Sequence, residues 1–342
     1  MKAAVFNKPN EPLKIEEVED PKIYFHEILV KVAACGVCNT DLHYIDHGVP
    51  TFKKPPIILG HEASGVVKDV GAQVKDFKAG DHVLIPPVFS CGHCYNCRIG
   101  RENICLNMIM LGNNIDGAYA ELVKVPAKDC IHLPEDMPLQ ESSIIADAVS
   151  TPFHAVKNRA QVRPGDSVVV IGCGGVGINV VQIAAAAGAS VIAVDIMDNK
   201  LEMAKRLGAK HTINSSKKAD KLILTEIRDI TNGGADICIE AIGNPKTIEM
   251  GPSTLKPGGR YVQVGYSHKA APLNAGRLMF RELEIIGSLG CRPVDYPKII
   301  EMIKLKKIQL EPVITHRFKL EDINKAFDLM RKSQSLRSII VF

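Results

Sequence analysis

Residues 167–188 read SVVVIGCGGVGINVVQIAAAAG. The run 167–171 is uncharged and β-branched, which predicts a buried strand. Gly172-Cys173-Gly174-Gly175-Val176-Gly177 then turns the chain, and the Ala-rich, Pro-free stretch 176–187 predicts a helix packed on a sheet. Strand, G-x-G-x-x-G, helix is the order that holds a dinucleotide pyrophosphate. Gly172 permits the tight turn, Gly174 lets the backbone approach phosphate, and Gly177 lets the helix press on the strand. The N–H groups around Gly175 and Val176 and the positive end of the helix dipole face the anion. The next strand, SVIAVD, ends in Asp195, eighteen residues after the last glycine. A carboxylate there accepts both ribose hydroxyls and repels a 2′-phosphate.

Working outward, residues 167–287 alternate strands (SVVVIG, SVIAVD, HTIN, ADICIEAIG, GRYVQVG, LEIIGS) with helices near 176–188, 198–208, 217–231, 245–256 and 272–280. That texture predicts a doubly wound parallel sheet. Residues 1–145 differ. Short alternating runs such as EILVKVAA, ASGVVKDV and AYAELVKVP, cut by Gly, Pro and Asn, predict an antiparallel sheet or small barrel. Residues 134–155 turn helical. After Gly287 a helix, a short strand, a second helix and the strand LRSIIVF do not continue the alternation. They are expected to rejoin the N-terminal part.

With 342 residues, 46% hydrophobic and 23% charged, the chain accommodates two domains with sizeable cores. A net charge of +4 argues for neither a nucleic-acid nor a membrane partner. No apolar run suggests a spanning helix, and the first twenty residues lack a signal-peptide core. A cytoplasmic location is expected.

Ten cysteines without an export signal point to metal rather than disulfides. Cys91, Cys94, Cys97 and Cys105 give C-x2-C-x2-C-x7-C. Four thiolates on a short polar loop match a closed, structural Zn²⁺ site. An iron–sulfur cluster fits less well, since the ferredoxin-type fourth cysteine sits closer and precedes proline. His93 inside the loop is expected to face solvent. A second set, Cys35, Cys38 and Asp41 in CGVCNTDLH with His61 and Glu62 in GHE, offers half of an open zinc site. A catalytic zinc needs a third protein ligand and one free position.

Together with the four-cysteine loop, DGAYAELV, GCGGVG, VDIMDNK and SLRSIIVF, these stretches resemble the zinc-dependent alcohol dehydrogenases of the medium-chain dehydrogenase/reductase superfamily over almost the whole chain. The resemblance implies an α/β protein: a discontinuous, β-rich GroES-like catalytic domain (1–150 and 286–342) carrying both zinc sites, and a doubly wound Rossmann NAD-binding domain (151–285). It implies Cys38, His61 and Asp147 as catalytic zinc ligands, with Glu62 able to exchange onto the metal and Asp41 bonded to the other His61 nitrogen. Cys35 is left to packing. Many relatives carry Cys where this chain has Asp147; polyol dehydrogenases carry Glu and some formaldehyde dehydrogenases Asp. The resemblance places Asp195 and Lys200 on the adenosine ribose, Arg337 on the pyrophosphate, and Thr151, Ile242 and Val264 in the cofactor site. Asn39 replaces a basic residue of many relatives, implying looser phosphate binding.

The implied reaction is reversible oxidation of a primary or secondary alcohol by hydride transfer to NAD. Zinc acts as Lewis acid and the proton leaves through Thr40, the nicotinamide ribose and His43. Two zinc ions per subunit and a homotetramer, with a dimer next, are the family expectation. A polyol or sugar dehydrogenase is the alternative that Asp147 favours; ADAVSTP also resembles dehydrogenases of cyclic hydroxyacyl-CoA substrates. A non-catalytic relative, like the lens crystallins of the superfamily, is disfavoured by the retained Cys38, Thr40, His43 and His61.

Overall fold

The computed structural model describes residues 1–342, which divide into two units. The first comprises Met1–Ser150, Gly290–Lys304 and Gln309–Phe342; the second comprises Thr151–Leu289 and Leu305–Ile308. The chain returns to the first unit at Gly290 rather than at 286, because Glu284–Gly287 supplies the last strand of the second unit's sheet.

The first unit is built around the strand Glu27–Gly36, EILVKVAACG. Ile28, Leu29, Val30, Val32, Ala34 and Cys35 are buried, while Lys31 is exposed. The strand Ala63–Val70 pairs antiparallel along one edge. The other edge is shared. Leu122–Pro126 pairs with its first half, and the C-terminal strand Arg337–Val341 pairs with its last residues, Ile339 opposite Gly36 and Ile340 opposite Cys35. The last strand of the chain therefore ends up beside the turn that leads into Cys38. Ile314–Lys319 adds a parallel pair at that side. A separate three-stranded sheet joins Lys2–Phe6, Lys14–Glu17 and Ile57–Ile58. One apolar cluster, including Phe6, Ile28, Val30, Leu59, Tyr119, Phe327 and Ile340, fills the space between these layers.

The second unit has six parallel strands in the order 211–214, 190–195, 167–171, 235–240, 255–263, 284–287. Val168, Val169, Val170 and Ile171 are all buried, which is why the run carries no charge. Burial of each such side chain contributes roughly 1.5–3 kcal/mol. The strand order reverses between Ser167–Ile171 and Ala235–Glu240, which opens a crevice at their carboxyl ends.

Some boundaries differ from the periodicity. The helix expected over 245–256 is Pro245–Met250 followed by a 3₁₀ turn, since Pro252 removes a donor. Those expected from 217 and 272 start at Asp220 and Ala275; at the second, the Asn274 side chain accepts from the Arg277 N–H. The helical stretch near 134–155 becomes a 3₁₀ turn Glu141–Ile145, a short helix Ser150–Phe153 and a π-helical turn His154–Arg159. No helix is long and apolar enough to cross a membrane.

Candidate active site

Three stretches of the first unit meet at one point. Cys38 caps the helix Asn39–Ile45 directly after the long central strand. Gly60, at φ +94°, turns the chain into His61 and Glu62 just before the strand Ala63–Val70. Asp147 follows the Glu141–Ile145 turn. One ligand atom from each of Cys38, His61, Glu62 and Asp147 lies within 4.8 Å of every other. Asp147 Oδ2 is 3.8 Å from Cys38 Sγ and 3.8 Å from His61 Nε2. Ligand atoms on a tetrahedral zinc with bonds of about 2.0–2.3 Å stand roughly 3.3–3.8 Å apart.

The donors fit a cation on chemical grounds as well. His61 is 1% exposed, and neither ring nitrogen has a hydrogen-bond partner. Burial opposes a charge on His61, yet Asp41 and Asp147 outweigh it and push the imidazole well above its ordinary pKa. Burial also opposes ionisation of Cys38, but the Arg337 charge and the neighbouring His61 imidazole hold its thiol below the usual range. Cys35, three residues earlier, is driven well above that range by burial. The two cysteines of CGVC are thus physically distinct: the surroundings lower one thiol and raise the other.

Asp41 lies behind His61, its Oδ1 3.5 Å from Nδ1. Tyr119 donates to Asp41 Oδ2 at 2.7 Å, a link no spacing in the sequence announces. Burial and the Asp41 charge push the Tyr119 phenol well above its ordinary value, so it remains a donor. Glu62 was expected to reach the metal position. Here it is also ion-paired with Arg337, whose Nε donates to Glu62 Oε2 at 3.1 Å and whose Nη2 contacts Oε1. Arg337, expected on a pyrophosphate, is 4% exposed and faces this carboxylate.

Thr40 Oγ1 lies 3.6 Å from Cys38 Sγ. Thr40 and His43 are three residues apart on the helix Asn39–Ile45 and share one face. The His43 and His47 ring centroids are 5.6 Å apart. Nearby aromatic side chains differ: Phe89 is buried core, Tyr44 is buried and accepts from Asn113, and Phe52 is exposed.

The four-cysteine loop closes as spaced. Sγ separations are 3.5 Å (Cys94–Cys97), 3.8 Å (Cys94–Cys105) and 3.9 Å (Cys91–Cys97). A tetrahedron of ~2.3 Å Zn–S bonds gives about 3.8 Å. Backbone N–H groups of Cys94, Cys91 and Asn107 point at the sulfurs, each at 3.3 Å. Backbone hydrogen bonds from His93 and Cys94 help lower Cys91 to about 5. Burial and the neighbouring Cys94 push Cys97 up to about 12, the conflict a divalent cation removes. His93 is exposed.

In the second unit Gly172 adopts φ +90°. A Cβ on Gly177 would collide with the Gly172 carbonyl, whereas Gly174 faces open space, as close approach of a phosphate requires. Asp195 is 8% exposed; its carboxylate accepts from the Cys173 N–H at 2.7 Å and the Met197 N–H at 3.0 Å. It therefore buttresses the glycine turn itself. Lys200, expected beside it, forms no ion pair with it. Ile242 and Val264 follow strands at the same sheet edge, and Glu240, fully buried, accepts from Ile242, Gly243, Thr247 and Gln263 to shape that loop. Thr151 is buried at the start of this unit.

Residues 25–135 match the family model described as the alcohol dehydrogenase GroES-like domain, and residues 175–305 the one described as zinc-binding dehydrogenase. An alcohol dehydrogenase of Geobacillus stearothermophilus is 35% identical over 98% of this chain and 97% of its own length. The chain belongs to the zinc-type medium-chain dehydrogenases. This dehydrogenase is also 36% identical to D-xylulose reductase A of Aspergillus niger over 95% of this chain and 91% of that one. The solved alcohol dehydrogenase TADH of Thermus sp. ATN1 superposes with a TM-score of 0.92 at 29% identity, covering 100% and 99% of the two chains. The dehydrogenase therefore has a GroES-like domain and a Rossmann-type domain, and its relatives differ in substrate.

Proposed function

We propose that the protein oxidises a primary or secondary alcohol reversibly with NAD, holding two zinc ions per subunit. The observation that carries this reading is the convergence of Cys38 and Asp147 on the buried imidazole of His61, whose nitrogens make no hydrogen bond within the protein. Bound there, zinc would supply Lewis acidity toward an alcohol oxygen, and NAD would accept hydride. The chain's own contributions are distinct. Cys38 and Asp147 provide two negative charges, Asp41 orients His61, and Thr40 with His43 offers a hydroxyl and an imidazole for the departing proton. Cys91, Cys94, Cys97 and Cys105 hold the structural ion. Gly174 and the N–H groups after it receive the pyrophosphate, and Asp195 disfavours a 2′-phosphate, so NAD is preferred over NADP. The assembly proposed is a homotetramer, with a dimer as alternative.

A polyol or sugar alcohol is the second substrate class. It is favoured by the carboxylate of Asp147 and by the likeness to a D-xylulose reductase. Purified protein is to be assayed with simple alcohols, cyclic alcohols and polyols against NAD and NADP, following reduced nicotinamide. Turnover of simple alcohols above polyols supports the first reading, and the reverse order the second. No turnover of any, with metal bound at both sites, refutes both.

A further inference from the structure

We propose that Tyr119 is a positioning residue for the metal ligand His61, acting through Asp41. The inference rests on the metal site proposed above.

Asp41 is a fully buried carboxylate, and such a group is stable only when its oxygens are hydrogen-bonded. Its Oδ1 faces His61 at 3.5 Å, and the Cys38 N–H reaches Oδ2 at 3.4 Å. The one short bond to Asp41 is the Tyr119 hydroxyl, at 2.7 Å. The Gly36 carbonyl is a longer alternative acceptor at 3.1 Å, and a charged acceptor wins that competition for a single proton.

Tyr119 also holds the backbone that delivers His61. Its N–H donates to the Leu59 carbonyl at 3.0 Å, and the Ala118 N–H to the Gly60 carbonyl at 2.9 Å. Its ring lies so close to Gly60 that a Cβ there would stand 2.8 Å from a ring carbon. The far side of the ring meets Phe327 edge-on at 6.1 Å between centroids. The phenol is thus clamped by its surroundings, and its hydroxyl aims one way. Through it the tilt of Asp41, and so of the His61 ring, is set before any metal arrives.

The test is Tyr119→Phe, which keeps the ring and removes the hydroxyl. Zn²⁺ affinity of the Cys38 site is measured by chelator competition, and Co²⁺ is substituted there to record its absorption spectrum. Replacing an outer-shell partner of a metal ligand costs 10–100-fold in affinity, and one link further out the low end, about 10-fold, is expected. The Co²⁺ spectrum should shift, while metal on the four cysteines and the circular dichroism stay as in wild type. In an Asp41→Asn background the same substitution should have little further effect, since the path runs through Asp41.

Unchanged affinity and spectrum in Tyr119→Phe overturn the inference, and so does full additivity with Asp41→Asn. A wild-type protein that binds metal only at the four cysteines overturns the site itself, which is a distinguishable failure. If Tyr119→Phe does not fold, 3,5-difluorotyrosine at position 119 keeps the shape and strengthens the donor. The Co²⁺ spectrum must then move, and an unmoved one overturns the proposal.

Discussion

Glu62 and Arg337, 275 positions apart in the chain, form an ion pair in the interior of the first unit, 0% and 4% exposed. Glu62 follows His61, the proposed metal ligand, and Arg337 opens the final strand. Gly36 makes room for the pair, because any side chain there would run into the Glu62 carboxylate. Removing one member of a buried pair leaves an uncompensated charge and costs about 3–5 kcal/mol. Arg337→Met should lower stability by that order, read as a shift of the urea midpoint. Glu62→Gln combined with Arg337→Met should restore most of it. A double variant no more stable than Arg337→Met would show that the loss is packing, not charge.

Asp147 brings a carboxylate to within 3.8 Å of both Cys38 Sγ and His61 Nε2. Asp147→Asn keeps the shape and removes one negative charge facing the proposed metal position. Metal analysis should find one ion lost and the four-cysteine ion retained. Dehydrogenase activity should fall by 10-fold or more, while the melting temperature moves little. Unaltered metal content and kinetics would remove Asp147 from the ligand set.

Asp195 accepts the Cys173 N–H from within the glycine turn, so its substitution acts on the turn as well as on the proposed ribose contact. Asp195→Ala should raise the dissociation constant for NAD by about 10-fold or more, a loss of one charge-assisted hydrogen bond or greater, and narrow the NAD to NADP ratio. Isothermal titration with both nucleotides measures this. An unchanged ratio would dissociate Asp195 from nucleotide choice.

Asp46, at the end of the helix that starts after Cys38, accepts two bonds from Arg331, both at 2.8 Å. The Arg331 hydrogen bonds hold its pKa below the ordinary 3.8. A depressed folded pKa contributes stability above the unfolded value and loses it as pH falls through the folded one. Because both side chains are partly exposed, about 0.5–1 kcal/mol is at stake at neutral pH. Arg331→Met should therefore lose about that much at pH 7 and progressively less below pH 4, a convergence that thermal unfolding across pH would record.

Read by itself, the amino-acid order determined whatever is local. The four thiolates come from a single loop, 91–105, so their spacing already fixes how they can converge. The glycine turn is likewise a matter of consecutive backbone angles, and Asp195 ends the next strand in register. The Cys38, His61 and Asp147 set was legible only through its likeness to a family, because nothing in residues 38 and 147 says that they approach. The tertiary structure decided the rest. Pairing of Arg337–Val341 onto Glu27–Gly36 brings Arg337 to Glu62, and pairing of residues 117–119 with 58–60 aims the Tyr119 hydroxyl at Asp41. Such contacts depend on which distant strands share an edge, a choice made by burial of the whole core and by no single stretch of sequence.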